Sequence, residues 1–232
     1  MINKCPKVLI AAPQHSSKAY CFEDWYMNVK QFTYPNADIL LVDNSDTDEF
    51  FNYMKQFDLI LHRIDVRGKT TLERMTESHN VCRQYALDNN YDYLLHLETD
   101  VFPQFDVIDN FLCHGKGIIG ATYSILSGAE RELCIRHFRY DKGLNTFDLY
   151  AHGFHTTWLG QGVQKVGNCG LGCTLIRRDI LSKIKFRYVV GEETHPDTWL
   201  AHDLAVEGID FWNDTNIFVD HRNHPYGWHN LK

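Results

Sequence analysis

The sequence lacks the motifs and segments that would assign it to several large classes of protein. No GxGxxG pattern and no Walker lysine loop follows the first apolar run, which continues as Ala11-Ala12-Pro13-Gln14-His15. These absences disfavour a dinucleotide dehydrogenase and a P-loop NTPase. No apolar run approaches the length of a membrane span, and the first one is too short for a secretory signal. We therefore expect a cytoplasmic protein without a transmembrane segment.

The sequence also lacks a cysteine pairing pattern and an excess of positive charge. Its 7 cysteines are an odd number and form no CxxC, which favours reduced, mostly buried thiols. A zinc site from Cys169, Cys173 and histidines is an alternative, although these cysteines lie in an apolar, strand-like run. The net charge is −7, whereas general nucleic-acid binders are usually basic. If an acidic protein binds an anionic ligand, it needs a local cation, such as a divalent metal ion.

Short apolar runs bounded by polar turns recur along the first half of the chain. They lie at 8–12, 39–42, 59–64, 93–97 and 117–123. Such runs are typical of strands that are buried on both faces. Between the third and fourth runs, residues 70–90 have the pattern of an amphipathic helix. Its apolar face consists of Leu72, Met75, Cys82, Tyr85 and Ala86. Alternating strands and helices predict a single-domain α/β protein, a three-layer α/β/α sandwich with a mostly parallel central sheet.

The second half of the chain continues this alternation after an irregular segment. We predict a strand at 170–178, helices at 179–184 and 196–207, and a last strand at 217–219. Residues 125–165 are rich in His, Tyr, Phe, Gly and Trp and have weak periodicity. This composition predicts loops and irregular strands that recognise an acceptor. Trp158 in this segment is a candidate for stacking on a sugar or a base.

Acidic residues follow two of the predicted strands at the point where each strand ends. Asp43 follows the second run, and Glu98 and Asp100 follow the fourth. In an open α/β sheet, ligands bind at the carboxyl ends of the strands. Two carboxylates at positions i and i+2 suit Mg²⁺ or Mn²⁺, with a diphosphate completing the coordination shell. The alternative interpretation is a polar turn that only ends the strand.

Basic residues follow the third strand. Arg67, Lys69 and Arg74 are candidates for neutralising the phosphates of a bound ligand. The equally open alternative is that these residues only form a solvated loop and helix face.

Four segments match one family pattern in their order and spacing. Residues 80–103, NVCRQYALDNNYDYLLHLETDVFP, combine a helix, a hydrophobic strand and an acidic triplet, and residues 42–45 form a polar turn after a strand. Residues 165–186 combine glycines with a strand and a helix. In residues 195–221, Gly208 lies eleven residues after Asp197, and His221 thirteen after Gly208. Together these segments resemble the GT-A glycosyltransferases, and specifically their family 2, over most of the chain except roughly 125–165.

The resemblance implies a metal-dependent transfer of a sugar from a nucleotide-diphosphate sugar to an acceptor hydroxyl. It implies Mn²⁺ or Mg²⁺ as cofactor and favours a UDP-sugar as donor. Asp100 would coordinate the metal, Glu98 the metal or the donor ribose, and His221 the metal or the diphosphate. Asp43 would contact the base or ribose, and Asp197 would be the general base of an inverting displacement. Residues 1–124 would form the nucleotide-sugar half and 125–232 the acceptor half.

The sequence departs from the family pattern next to the predicted base. Pro196 precedes Asp197, where relatives often have an acid, so inverting and retaining chemistry both stay open. Asp197 also fits a capping role at the helix start, in a capping box that begins at Thr194. Asp203 is a rival base, but six residues along a helix place it about 120° away from Asp197.

Two other functions compete with sugar transfer. A nucleotidyltransferase would also use carboxylates and a metal, but would normally show a glycine-rich basic loop after the first strand, which is missing here. A catalytically silent carbohydrate-binding relative would lack the base or the metal ligands. The acceptor stays open between a glycan, a lipid-linked sugar, a protein and a small molecule. The acidic charge disfavours modified viral DNA.

Overall fold

Helices and strands alternate along the computed structural model, which describes residues 5–127, 130–134, 137–141, 146–151 and 159–222. Its helices are α1 (Phe22–Val29), α2 (Glu49–Met54), α3 (Thr71–Asp88), α4 (Val107–Cys113), α5 (Arg178–Lys183) and α6 (Pro196–Val206), preceded by a 3-10 helix (Ser16–Cys21). Its strands are β1 (Val8–Gln14), β2 (Ala37–Asp43), β3 (Ile60–Arg63), β4 (Tyr93–Leu97), β5 (Val101–Phe102), β6 (Ile118–Thr122), β7 (Ser124–Ser127), β8 (Glu130–Leu133), β9 (His137–Asp141), β10 (Thr146–Ala151), β11 (Val163–Val166), β12 (Cys173–Arg177), β13 (Phe211–Phe218) and β14 (Asp220–His221).

An eight-stranded sheet forms the centre of the described part of the chain. Its strand order is β11-β13-β6-β12-β4-β1-β2-β3. The pairs β3–β2, β2–β1, β1–β4 and β6–β13 are parallel, and β12 and β11 run antiparallel to their neighbours. The prediction of a mostly parallel α/β sheet is confirmed. Because β1, β2 and β4 run in the same direction, their carboxyl ends meet at one edge of the sheet.

Two hydrophobic cores lie on opposite faces of this sheet. Successive residues of β1 alternate between them: Leu9 and Ala11 pack into the first core, and Val8 and Ile10 into the second. The first core is covered by α3, α5 and α6, and the second by α1, α2 and α4. Both faces of the strand are therefore apolar, which explains why the sequence shows continuous apolar runs rather than alternation. The three-layer α/β/α arrangement follows from this.

Helix α3 has the start that its sequence encodes and buries much of the predicted face. The Oγ1 of Thr70 accepts from the amide of Glu73 at 3.3 Å, and Oε2 of Glu73 accepts from the amide of Thr70 at 2.7 Å. This capping box satisfies two of the free amides at the helix start. Cys82 and Ala86 are buried as predicted. The other buried positions are Thr76, Ser78 and His79, while Leu72, Met75 and Tyr85 are only half-buried.

The structure adds elements that the sequence analysis did not predict. Helices α1, α2 and α4 have six to eight residues, too few to show a clear helical period. The last long strand, predicted at 217–219, begins at Phe211. The sequence pattern does not reveal this start, because it contains polar residues that are buried and hydrogen-bonded. Asn213 accepts from Thr122 at 2.6 Å, and Asp214 pairs with His114 at 2.8 Å.

The segment 125–165 contains short antiparallel pairings in its described part. Strand β7 pairs with β8, and β9 pairs with β10. Trp158 lies outside the described residues. Among the helices of the described ranges, none combines the length and the apolar character that crossing a bilayer requires.

Candidate active site

A short pairing of strands brings residues from two distant parts of the sequence together. Asp100 ends the turn after β4 and directly precedes β5, and β5 pairs antiparallel with β14 so that Val101 faces His221. The amide of Arg222 donates to the carbonyl of Asp100 at 2.8 Å and extends this ladder. The register therefore fixes the His221 ring beside the Asp100 carboxylate, at the carboxyl edge of the sheet.

Three side chains converge at this point. Glu98, Asp100 and His221 each offer one ligand atom, and these atoms all lie within 4.8 Å of one another. The Nε2 of His221 lies 3.4 Å from Oδ2 of Asp100, and its Nδ1 lies 3.1 Å from the carbonyl of Ser124. Tyr123 packs edge-on against the His221 ring at 5.3 Å. The three groups predicted as metal ligands thus lie together.

Burial and mutual charge set the protonation of these groups. Burial and the charge of Asp100 raise the pKa of Glu98. Burial alone would raise the pKa of Asp100, but the hydrogen bonds and charges of His221 and Lys18 outweigh it and lower that pKa. Burial alone would lower the pKa of His221, yet its hydrogen bond to Asp100 raises it. The cluster attracts positive charge.

Lys18 is a member of this cluster that the sequence analysis missed. Its Nζ donates to Oδ2 of Asp100, across 82 positions of the sequence. Lys18 lies in the 3-10 helix after β1, which is held to the acidic turn because Sγ of Cys21 donates to the carbonyl of Thr99 at 3.2 Å. No spacing rule connects a lysine after the first strand to an acid after the fourth. Only the order of strands in the sheet makes them neighbours.

The cluster suits a hard divalent cation. The two carboxylates suit Mn²⁺ and Mg²⁺, and the imidazole favours a transition-metal ion such as Mn²⁺ over Mg²⁺. In addition, Oδ1 of Asp100 is buried and has no hydrogen-bond partner among the described residues. An unsatisfied buried acceptor is costly, and a cation bound at this carboxylate would satisfy it.

A cleft of about 380 Å³ opens beside the cluster. Its lining residues come from the ends of β1, β2 and β4 and from α3: they are Pro13, His15, Ser17, Lys18, Asn44, Thr71, Arg74, Met75, His79, Glu98, Thr99 and Asp100. Arg74 was predicted to bind phosphate and lies in this wall. Its guanidinium currently donates to the exposed Asp46 at 2.6 Å. Its Nε also donates to the carbonyl of Lys69 at 3.1 Å, so two hydrogen bonds hold the guanidinium in this wall.

The fold of this chain is similar to that of solved structures. Residues 1–349 of TarS from S. aureus in complex with UDP match with a TM-score of 0.58 and 9% identity, over 91% of this chain and 60% of that one. GalNAc-T7 with UDP, GalNAc and Mn²⁺ matches with a TM-score of 0.63 and 12% identity, over 94% of this chain and 44% of that one. The chain has a GT-A-like glycosyltransferase fold. By sequence, no family model and no curated protein matches it.

Within the GT-A-like fold, two predicted donor-binding residues lie outside the cleft lining. Asp43 is fully buried, with its carboxylate 2.8 Å from Nη1 of Arg63 and 2.6 Å from Oγ of Ser45. Its neighbour Asn44 lines the cleft instead. The Arg67 side chain is 88% exposed and pairs with Asp65. In this structure Asp43 and Arg67 therefore lie outside the cleft lining, because Asp43 braces the turn and the Arg67 side chain points to solvent.

Two buried histidines lie at the cleft wall of this GT-A-like chain: His79 lines the cleft and His96 lies behind it. His96 on β4 has its Nδ1 2.6 Å from the carbonyl of Leu171 and its Nε2 2.9 Å from Nδ1 of His79. A carbonyl only accepts, so His96 donates from Nδ1 and, when neutral, accepts from His79 at Nε2. Burial lowers the pKa of both rings, to about 4 for His96. Both are thus neutral, and the Nε2 of His79 is left as a hydrogen-bond acceptor.

The structure separates the two rival base candidates. Asp203 is held by Arg187 through two contacts of 2.8 Å, and these hydrogen bonds lower its pKa even though burial alone would raise it. Asp197 accepts a hydrogen bond from the amide of Thr198 at 2.7 Å, and burial raises its pKa. The charge of Glu98 raises the pKa of Asp197 further.

The capping interpretation of Asp197 holds only in part. Helix α6 has His195 rather than Thr194 as its N-cap, and no side chain caps it. The predicted capping box is therefore not formed. Asp197 still lies in the first turn, where a carboxylate favours the helix dipole.

The cysteines named as a zinc alternative belong to the core. Cys169 and Cys173 are buried, and burial raises the pKa of both thiols. Within the described ranges, the grouping found to suit a metal is that of Glu98, Asp100 and His221.

Proposed function

We propose that this protein is a metal-dependent glycosyltransferase that moves a sugar from a nucleotide-diphosphate sugar to an acceptor hydroxyl. The observation that supports it best is the convergence of Glu98, Asp100 and His221 beside a cleft of suitable size in a GT-A-like fold. Solved neighbours contain UDP, and GalNAc-T7 also contains Mn²⁺. A UDP-sugar with Mn²⁺ or Mg²⁺ is therefore our first choice of donor and cofactor.

In this proposal the cluster holds the cation and the cleft holds the nucleotide. Asp100, Glu98 and His221 supply the protein ligands. When bound, the cation neutralises charge on the leaving diphosphate and so stabilises the transition state. Arg74 leaves Asp46 and binds phosphate oxygens. Asn44 and His79 lie in the wall and are available to hydrogen-bond the ribose or base.

The proposed base is Asp197, in an inverting displacement. The acceptor oxygen attacks the anomeric carbon, the bond from that carbon to the phosphate oxygen breaks, and Asp197 accepts the proton of the acceptor hydroxyl. A raised carboxyl pKa suits this role, because it brings the base closer to the operating pH. The nucleoside diphosphate leaves with the electron pair of the broken bond.

The proposed acceptor is bound by the second half of the chain. Residues 125–232 contain β7 to β14, α5 and α6, and β14 carries His221 of the cluster. A glycan, a lipid-linked sugar, a protein and a small molecule all carry a suitable hydroxyl. The net charge of −7 still disfavours DNA.

A donor-hydrolysis screen tests the proposal. The protein is incubated with a panel of nucleotide sugars with Mn²⁺, with Mg²⁺ or with EDTA, and free sugar is measured. We expect slow metal-dependent hydrolysis of one donor, at least tenfold lower in Asp100→Asn. Asp210→Asn, which changes a surface carboxylate paired with Lys165, is the matched control and should keep the wild-type rate.

The outcomes separate the parts of the proposal. Asp197→Asn should keep donor binding in calorimetry but lose transfer once an acceptor is found, since only the proton acceptor is removed. Wild-type rates in Asp100→Asn would refute the metal assignment. Failure of every nucleotide sugar to bind, with or without metal, would refute the glycosyltransferase.

A further inference from the structure

Lys18 holds the carboxylate that the proposed metal site needs. Its Nζ donates to Oδ2 of Asp100, the same oxygen that lies 3.4 Å from Nε2 of His221. A lysine amine has an ordinary pKa of about 10.4, so beside this carboxylate Lys18 is a cation. Without a ligand, the Asp100 carboxylate is therefore already paired with a positive charge of the chain itself.

A divalent ion and Lys18 compete for the same oxygen. Two cations that share one carboxylate repel each other, and the repulsion is strong where water is largely excluded. The Asp100 side chain is fully buried, whereas that of Lys18 is 34% exposed and lines the cleft. Lys18 is thus the partner that can move, and its flexible stem lets the amine turn into the cleft without a backbone change.

The cleft offers that amine a second place to bind. Lys18 and its neighbour Ser17 line the same wall as Glu98 and Arg74. In the proposed function this wall faces the diphosphate, and phosphate oxygens are good acceptors for an ammonium group. An amine displaced from Asp100 therefore gains a new anionic partner only when the diphosphate is present.

We propose that Lys18 is the counter-ion of Asp100 in the ligand-free protein and moves to the phosphates of the bound donor, so that metal and diphosphate bind cooperatively. This inference rests on the proposed function. The position of Lys18 makes metal binding weak on its own, because the amine must leave without a new partner. It makes metal binding strong with a diphosphate, because the amine then bridges to the ligand.

Metal titrations of Lys18→Met test the coupling without any measurement of activity. Mn²⁺ binding to the protein is measured by equilibrium dialysis, alone and with saturating inorganic pyrophosphate or UDP, and the Mn²⁺–diphosphate complex in the protein-free compartment is subtracted. Pyrophosphate carries no nucleobase, so the result with pyrophosphate does not depend on nucleobase binding. Lys18→Met should bind Mn²⁺ about tenfold more tightly without diphosphate, and its gain in Mn²⁺ affinity on adding diphosphate should be at least about fivefold smaller than in wild type. By linkage, the effect of Mn²⁺ on pyrophosphate affinity must shrink by the same factor.

Two further variants keep the result interpretable. Lys30→Met removes a surface lysine paired with the exposed Asp58 and should behave as wild type. Lys18→Arg keeps a cation at the position and should keep most of the coupling. Circular dichroism of each variant confirms that it is folded.

Each outcome decides the inference. Equal Mn²⁺ affinities for Lys18→Met and wild type without diphosphate would overturn it. It would also be overturned if Mn²⁺ binds neither protein while pyrophosphate binds wild type and not Lys18→Met, since Lys18 would then be a permanent replacement for the metal. Loss of UDP and pyrophosphate binding in all proteins would refute the proposed donor site and the coupling together, whereas a failure confined to Lys18→Met leaves the donor site standing.

Discussion

The buried pair of Asp43 and Arg63 gives a stability prediction that the structure specifies closely. Asp43 ends β2 and is fully buried, and Nη1 of Arg63 lies 2.8 Å from its Oδ2. The same guanidinium donates to the carbonyls of Thr47 at 2.8 Å and Ser45 at 3.1 Å, so it also fixes the turn that precedes α2. Arg63→Met keeps most of the side-chain volume but leaves the Asp43 carboxylate with Ser45 as its remaining described side-chain partner.

The expected loss in the free energy of unfolding is large, because Arg63→Met leaves the charge of Asp43 buried and without its guanidinium partner. Removing one partner of a buried pair costs about 3–5 kcal/mol, and the 20% exposure of the Arg63 side chain favours the lower end, about 3 kcal/mol. For a chain of this size that loss lowers Tm by about 6–12 °C. The double variant Arg63→Met/Asp43→Asn should regain much of it, since the neutral amide no longer needs the guanidinium.

The stability difference between Arg63→Met and wild type should also depend on pH, and the titration of Asp43 decides the direction of that dependence. Burial raises the pKa of Asp43 in the folded protein, and Arg63 opposes that rise. Without Arg63 the pKa of Asp43 rises further. At lower pH the carboxylate is then protonated, and the variant no longer bears the cost of an unpaired buried charge. The stability difference from wild type should therefore be largest near neutral pH and shrink as pH falls through the raised pKa.

Urea denaturation at several pH values, followed by circular dichroism, measures these differences. Arg67→Met is the matched control, because Arg67 and Asp65 form an exposed pair and its removal should leave stability unchanged. An Arg63→Met variant as stable as Arg67→Met at neutral pH would show that Asp43 is solvated, and the reasoning would be refuted.

Two further predictions concern the core. In Gly120→Ala the new Cβ would lie 2.5 Å from Sγ of Cys169 and 2.8 Å from Oγ1 of Thr174, so we expect a loss of about 1–3 kcal/mol in urea denaturation, and unchanged stability would contradict the packing described. The lowered pKa values of His79 and His96 mean that only the unfolded chain takes up their protons as pH falls from about 6.5 towards 4, so the free energy of unfolding should fall over that window. His79→Phe removes one of these groups and should give a shallower fall, and a slope equal to that of wild type would argue against a neutral pair.

The sequence was sufficient for the elements that follow from local pattern. The runs at 8–12 and 93–97 became β1 and β4, because strands buried on both faces need apolar residues at every position. Residues 70–90 became α3, whose start is set by Thr70 and Glu73. The three-layer arrangement followed from the alternation of these elements. Helices α1, α2 and α4 and the polar start of β13 escaped prediction, because short helices and buried, hydrogen-bonded polar residues leave no period in the sequence.

Sequence order alone predicted Glu98 and Asp100 as one candidate site, since both follow the same strand. Only the tertiary structure decided what surrounds them. The β5–β14 register sets His221 beside Asp100, and the sheet order brings Lys18 to the same oxygen from 82 positions away. The structure likewise turned Asp43 inward to Arg63. The physical reason is that charge pairing acts through space, whereas sequence patterns record only which residues share a strand or a helix face.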